Sequence, residues 1–474
     1  MEINNRFTGR KIAVLGLSTE GQTMIKYLRK HGVKIWACDK KEKKDLGKTY
    51  YRLKRLGAIF QLGPSYLDDL EKFDLVFRTP GMPLRLPQLK EARKRGIEVS
   101  SQIKLFFNLC PCPIIGVTGT KGKGTTVTLI GEILKNEGKK VFVGGNIGSP
   151  PIEFLDKLTP SSWVVLELSS FQLEDLTQSP NIAVVLNITS DHVAFPLSPD
   201  APNYHLSWKD YVRAKKNIVR YQTKEDFALI NADYEIPRSF IRETPAKIFY
   251  FSRKEEVSRG AYVQGGKIWL KVIDKARKAR QEICRISEVG LRGVHNLENI
   301  TASMVAASLA GVNLSSIRKT VLSFRGLEHR LELVKEAERV EYFNDSFSTI
   351  PETTIAAIRS FKEPIILIAG GSEKGADYTE LGKEIAKSTV RTLILIGEMA
   401  ERIEEAVMKS SKLRIIKGLK NMKDIVKIAK KEAKPGDIVL LSPACASFDM
   451  FKNYKDRGEQ FKYWVKSLNE KKLG

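Results

Sequence analysis

The stretch TGTKGKGTT, Thr118 to Thr126, follows an apolar run, CPIIGV, and leads into an amphipathic one, VTLIGEILKNEG. Strand, glycine-rich loop and helix in that order are the setting of a phosphate-binding loop, where successive backbone N–H groups at a helix N-terminus surround phosphate oxygens. Gly119, Gly122 and Gly124 free the backbone, Thr120 and Lys121 fill the loop, and Lys123 stands in the place of the phosphate lysine. The usual pattern puts a hydroxyl directly after that lysine. Gly124 occupies that place here, so Thr125 becomes the magnesium-side hydroxyl, with Thr126 as the alternative. A flexible glycine turn is the bland reading; the strand before and the helix after weigh against it.

Working outward, two more apolar strands follow, SWVVLELSS and NIAVVLNITSDH. Glu167 ends the first and His192 closes the second. An acid at the end of an apolar strand is costly unless it binds something, and two such strand-end groups beside a phosphate loop predict a magnesium site. A glycine-rich piece, AYVQGGKIWLKV, reads as a hairpin near the end of this segment.

The same theme of strand, turn and helix recurs on either side. Upstream, KIAVLGLSTEGQTMIKYLRK resembles a dinucleotide fingerprint, but Ser18 replaces its middle glycine. Asp39 ends the next strand about 20 residues on, where an acid can bind a ribose or a base edge. A nucleotide-like ligand fits this pattern; hydride chemistry has no further support. Downstream, PIILIAGGSEKGAD, TLILIGE and DIVLLSPACASFDM read as buried strands with helices between. The chain is therefore expected to be α/β in three domains: a Rossmann-like one over 1–109, a central P-loop domain with a mostly parallel sheet over 110–326, and a Rossmann-like one over 327–474.

Composition narrows the class. The chain has 474 residues with 42% hydrophobic and 28% charged, which is globular, and no run reaches the roughly 18 apolar residues of a membrane span. The opening MEINNRFTGRKIAVLG lacks a signal-peptide core, so a soluble, cytoplasmic protein is expected, a monomer without membrane insertion. Five scattered cysteines form no disulfide framework, and Cys110 and Cys112 read as ordinary thiols. Lys and Arg exceed acids by 79 to 55, a formal +24, which invites a nucleic-acid reading. The basic residues are spread along the whole chain and runs such as KARKAR (275–280) lack interleaved aromatics, so no nucleic-acid partner is expected. A polyanionic small substrate suits the charge equally well.

TGTKGKGTT, GGNIGSP, LELSSFQLE, NITSDH, YVRAKKNI, GVHNLENITAS, GLEHRLE, FNDSFST, AGGSEKGAD and LLSPACASFDMFKNYKDRGEQF come in the order expected of the Mur ligases, and the chain resembles that family over nearly its full length. LELSSFQLE and the closing motif are most similar to the branch that joins D-glutamate to UDP-N-acetylmuramoyl-L-alanine in peptidoglycan precursor synthesis. The resemblance implies an N-terminal domain for the UDP moiety, a central ATPase and a C-terminal domain for the incoming amino acid. It implies ATP, two magnesium ions and an acyl-phosphate intermediate, with small-molecule partners only.

Residue by residue, it makes Lys123 the γ-phosphate lysine, and Thr125, Glu167 and His192 metal ligands. Lys215 in YVRAKKNI matches a lysine that the family carries as a carbamate, with Lys216 as the register alternative; the residue pattern alone reads as a surface helix. Asn296, Asn299, Arg330 and Asp345 match ATP contacts. Ser18, Thr19, Asp39 and Thr79, Pro80 and Gly81 match the uracil and phosphate site, and Asn146, Ser169 and Gln172 the muramoyl contacts. Thr349, Lys374, Ser447 and Tyr454 fall where the family holds glutamate. Each also has a plain structural reading, as a cap, turn or strand end.

Three departures stand out. GKGT is closer to folylpolyglutamate synthase, a relative that also joins glutamate through an acyl phosphate, so a sibling ligase is the alternative. Phe347 replaces the lysine of the family's NDSKAT, removing a cation from beside a dicarboxylate. After His192 the family's DHLDRH becomes DHVAFPLSPDAPNYH, leaving His205 as the stand-in for the second histidine.

Overall fold

The computed structural model describes residues 7–189, 205–271, 280–291, 293–373, 375–407 and 413–468. His192, Lys374, most of the 193–205 insertion and most of KARKAR lie outside them. The chain divides into two compact units: Met1–Ile286 with Leu297–Val321, and Ser287–Asn296 with Leu322–Gly474. Three sheets carry the architecture, two in the first unit and one in the second.

The first sheet holds β1 (Ile12–Leu15), β2 (Ile35–Asp39), β3 (Ile59–Leu62), β4 (Leu75–Arg78) and β5 (Glu98–Ser101), all parallel, in the order β3-β2-β1-β4-β5. Order reverses at β1, which is where open α/β sheets place ligands, beyond the carboxyl ends of the strands. Close packing of the first turn explains one glycine: a Cβ on Gly21 would lie 1.9 Å from the carbonyl oxygen of Gly16.

The second sheet holds β6 (Ile114–Thr118), β7 (Val141–Gly145), β8 (Trp163–Glu167), β9 (Ile182–Val185), β10 (Phe227–Asn231), β11 (Lys247–Ser252), β12 (Gly260–Gln264), β13 (Lys267–Lys271) and β14 (Gln281–Arg285). Their order is β14-β13-β12-β11-β10-β9-β6-β8-β7. Pairing is parallel from β7 to β12 and antiparallel across β13 and β14, so AYVQGGKIWLKV is the hairpin its pattern predicts. All five residues of β6 are buried, which explains its unbroken apolar run: a strand covered on both faces has no polar side. Each fully buried Ile or Val there contributes about 1.5–3 kcal/mol.

One apolar core spans the first two sheets, in which helix Gln102–Leu109 sets Phe106 edge-on to Phe154 at 5.7 Å. A polar tie crosses the same layer. Arg78, at the end of β4, is fully buried and donates to Asp175 at 3.0 Å and to the carbonyls of Phe171 and Met82.

The second unit's sheet holds β15 (Glu332–Ala337), β16 (Val340–Asn344), β17 (Ile365–Gly370), β18 (Val390–Ile396), β19 (Arg414–Ile416) and β20 (Ile438–Leu441), in the order β15-β16-β20-β17-β18-β19. Only β15 is antiparallel. Its central strands, β17 and β20, are buried throughout and take helices on both faces, giving the two apolar clusters of this unit.

Candidate active site

Thr118 ends β6, and the chain then turns through Gly119 to Gly122 into helix Lys123–Asn136. Gly122 caps that helix at φ +87°, and a Cβ there would meet Asn299 Oδ1 at 2.2 Å, so only glycine fits. The neighbouring strand's continuation holds the loop. Asn187 accepts from the N–H of Thr120 at 2.7 Å through its carbonyl and from that of Lys121 at 2.9 Å through Oδ1, and Thr189 N–H donates to Thr120 Oγ1 at 3.0 Å. Lys123 Nζ folds back onto the carbonyls of Gly119 and Thr120 at 3.1 and 2.9 Å. Of the two candidate hydroxyls, that of Thr126 is directed inward to Asn299 Oδ1 at 3.3 Å. Thr125, also buried, lies one residue nearer the helix start.

β8 lies beside β6 in the sheet, so Glu167 stands at the same edge as the loop. It is buried, and its Oε1 accepts from Asn146 Nδ2 at 2.9 Å. The Asn146 N–H also donates to the Glu167 carbonyl at 2.9 Å, which fixes one residue against the other.

Helix Trp208–Arg220 is capped by Ser207, whose Oγ accepts from the Asp210 N–H at 3.1 Å. It turns Tyr211, Ala214, Lys215 and Ile218 inward, the i, i+3, i+4, i+7 stripe of a packed helix. Lys215 is 2% exposed, and its Nζ donates to Thr118 Oγ1 at 3.2 Å and to the Gly119 carbonyl at 2.9 Å, with the Tyr211 ring centroid at 4.8 Å. Burial holds the amine well below the ordinary lysine range, the charge of Lys123 lowers it further, and Glu167 pulls the other way. A lowered value leaves the amine neutral, and so nucleophilic, more of the time than an ordinary lysine. The register alternative is elsewhere: Lys216 pairs with Glu243 at 2.8 Å. His205 lies buried, stacked on Phe171 at 4.6 Å and edge-on to Tyr211, whose hydroxyl is 3.0 Å from Thr120 Oγ1.

The residues expected on the sugar nucleotide fall in two neighbouring places of the first unit. Ser18 and Thr19 are exposed at the start of helix Thr19–Lys30, and Ser18 makes no side-chain capping bond. Asp39 accepts from the Leu17 N–H at 2.6 Å and the Lys41 N–H at 2.9 Å, so it shapes the loop after β1. The Thr79 hydroxyl donates to the Leu15 carbonyl at 3.1 Å, and Pro80 and Gly81 continue the turn. Ser169 and Gln172 form a reciprocal capping box on helix Ser170–Leu173. The turn and cap readings of Asp39, Thr79, Ser169 and Gln172 hold, since each bonds its own or a neighbouring loop or helix start.

In the second unit, Asp345 is buried after β16 and accepts from Ser442 Oγ at 2.7 Å and the Leu331 N–H at 3.1 Å. Burial raises it to about 6 despite those bonds. Arg330 lays its guanidinium 4.5 Å from the Phe347 ring centroid, and Tyr454 meets the same ring edge-on at 5.2 Å. Ser447 is buried and Thr349 is half-buried; Asn296 of this unit and Asn299 of the first are buried on helix Val294–Leu309.

Sequence reasoning missed two groups. Arg457 is fully buried and donates to Ser346 Oγ at 2.9 Å and to the carbonyls of Ser346, Ala446 and Cys445, clamping two loops of the second unit. Glu298, in the first unit, accepts from Asn231, Tyr234 and Arg253. Both sit inside quoted motifs, and a charge in a stretch otherwise destined for the core was the available signal. Among the described residues, one carboxylate and histidine group has metal-like spacing, Glu328, His329 and Glu459, but Lys462 Nζ already reaches Glu328 at 2.5 Å and Glu459 at 3.2 Å.

Family models match residues 10–101 (Mur ligase MurD-like, N-terminal domain), 117–307 (Mur ligase middle domain) and 329–445 (Mur ligase, glutamate ligase domain). The UDP-N-acetylmuramoylalanine--D-glutamate ligase of Acetivibrio thermocellus is 41% identical, covering 98% of each chain. That of Symbiobacterium thermophilum is 41% identical over 97% of this chain and 98% of its own. Among solved structures, UDP-N-acetylmuramate-alanine ligase from Thermotoga maritima shares the fold at a TM-score of 0.55 and 16% identity, covering 97% of this chain and 99% of that one. These matches run along nearly the whole chain, and the chain belongs to the Mur ligase family.

Proposed function

We propose that this protein is the ATP-dependent ligase that adds D-glutamate to UDP-N-acetylmuramoyl-L-alanine in peptidoglycan precursor synthesis. The observation that carries the reading is the convergence of a phosphate loop, a strand-end carboxylate and the buried amine of Lys215, in a chain whose relatives bear that activity's name along their whole length.

A carboxylate is a poor acyl donor, so the reaction runs in two steps. The substrate carboxylate attacks the γ-phosphorus of ATP, and the bond to the bridging oxygen of ADP breaks. The amine of D-glutamate then attacks the acyl carbon, gives up a proton, and inorganic phosphate leaves. Positioning and charge neutralisation supply most of the acceleration. Lys123 and the loop amides, with Thr120, Lys121 and Gly124, hold the terminal phosphates; Asn296, Asn299, Arg330 and Asp345 contact the nucleotide. Thr349, Lys374, Ser447 and Tyr454 receive the amino acid.

Thr125, Glu167 and His192 would hold magnesium, a hard cation that takes oxygen donors readily and whose charge offsets that of the phosphate oxygens. The site suits it: Glu167 is a buried carboxylate with a carboxamide as neighbour rather than a full counter-charge. Lys215 completes the set as a carbamate. Its neutral Nζ adds to carbon dioxide, an N–C bond forms, a proton leaves to water, and the product is an anionic oxygen ligand. Mass spectrometry of the sugar nucleotide after incubation with ATP, magnesium and D-glutamate tests the proposal. Gain of one glutamyl residue supports it, and an unchanged sugar nucleotide overturns it.

A further inference from the structure

Glu20 stands between the two groups of residues assigned to the sugar nucleotide. It occupies the first turn of helix Thr19–Lys30, next to Ser18 and Thr19, and faces Gln172 on helix Ser170–Leu173. Its backbone is pinned, the carbonyl accepting from Gln102 Nε2 at 2.8 Å and Thr23 Oγ1 at 2.9 Å. Its carboxyl is approached by Gln172 Nε2 at 3.5 Å. That amide is itself aimed, because Gln172 Oε1 accepts from the N–H and hydroxyl of Ser169 at 3.0 and 3.2 Å.

Arg78, the cation that lowers the carboxyl, is committed elsewhere. Arg78 bonds Asp175 at 3.0 Å and the carbonyls of Phe171 and Met82, and lies 3.9 Å from Glu174, so two carboxylates already match its charge. The charged and polar groups facing Glu20 are therefore Arg78 from β4, with Glu174 and Asp175 behind it, Gln172 from the second sheet's short helix, and Thr23 and Gln102 on the near side. Glu20 is half-buried, and loss of water around its carboxyl is the largest influence, pushing it up to about 7 against the smaller pull of Gln172 and Arg78.

The substrate of the proposed reaction carries a diphosphate, and an anion is drawn to the N-terminal turn of this helix. A carboxylate in the same turn would repel it; a carboxylic acid would donate to it. We infer that Glu20 is a further binding residue for the sugar nucleotide, its carboxyl O–H donating to a substrate oxygen, so that binding is coupled to uptake of one proton. The inference rests on the reading of this rim as the sugar-nucleotide site. The proton comes from the buffer, an O–H bond forming on Glu20 as the buffer acid loses its own, and no bond between heavy atoms changes. Glu20 thereby ties the fingerprint turn of the first sheet to the Ser169 and Gln172 cap of the second, through the ligand as well as through the direct contact.

If only the protonated form binds, affinity falls as 1 + 10^(pH − pKa). With a value near 7, the Kd for UDP-N-acetylmuramoyl-L-alanine weakens about tenfold from pH 6 to pH 8, a range in which neither the diphosphate diester nor the alanyl carboxylate titrates. The test is calorimetric titration of the full-length protein with that sugar nucleotide at pH 6, 7 and 8, in two buffers of different ionisation enthalpy. Glu20→Gln, which keeps the size and a donor but cannot ionise, is titrated alongside. Proton uptake by the wild type, with a flat pH profile in the variant at the wild type's pH 6 affinity, is expected. A flat wild-type profile, or the same slope in Glu20→Gln, overturns the inference. No binding by the wild type at any pH overturns the substrate reading beneath it, a distinct result.

Discussion

Replacing Lys215 by Met keeps a flexible side chain in the buried slot and removes the amine. In the unfolded chain that lysine titrates near 10.5, and in the folded chain well below it. Between those values the unfolded state holds one proton more than the native state. Wild-type stability therefore rises with pH across that window, by about 1.4 kcal/mol per pH unit. Below the folded value both states are protonated, and the penalty of burying the charge is complete and independent of pH. Methionine binds no proton, so the stability advantage of Lys215→Met over the wild type should shrink as pH rises toward 10.5, by up to about 1.4 kcal/mol per pH unit. Urea unfolding of both proteins in bicarbonate-free buffer measures it. Parallel curves would mean that native Lys215 holds its proton through this range, and the argument from burial would be refuted. The smaller Lys215→Ala should lose about a hundredfold or more in activity, with partial rescue by acetate or formate standing in for the carbamate. A fully active Lys215→Ala enzyme would remove the residue from the site.

Lys123→Ala should abolish ATP turnover, and near-normal phosphate release from the variant would end the phosphate-loop assignment. Asp345 is raised from 3.8 to about 6, so the native state binds the extra proton and wild-type stability is lost as pH rises from about 4 to 6. The stability of Asp345→Asn relative to the wild type should increase by about 3 kcal/mol over that span and level off above pH 7; denaturant midpoints at pH 4.5 and 7.5 that move together would contradict this. Lys374→Ala should raise the KM for D-glutamate about tenfold or more while leaving that for ATP alone, because Phe347 offers the amino acid no cation. An unchanged glutamate KM would take Lys374 out of the amino-acid site.

Much of this was legible because the deciding features are local. The phosphate loop announces itself through three glycines and a lysine between a buried strand and a helix, and the loop's contacts to Asn187 and Asn299 follow from that conformation. The parallel sheets follow from unbroken apolar runs, since strands covered on both faces have no polar positions. Lys215 shows the limit. Its neighbours mark a charged helix, and only the stripe of Tyr211, Ala214 and Ile218 places its Cα on the inward face. Arg457 and Glu20 were illegible for a different reason: each is defined by partners about a hundred residues or more away, Ser346 and Gln172, which a motif scan does not pair. Asp39 was legible as a strand-end acid, but not as the acceptor of two backbone amides that builds the turn after β1.

The most direct test is phosphate release by the purified protein with ATP, magnesium and UDP-N-acetylmuramoyl-L-alanine, varying the amino acid across D-glutamate, L-glutamate, L-lysine and none. Release with D-glutamate alone is predicted, with Phe347 tolerated. Release with another amino acid, or with none of them, would contradict the assignment of the reaction.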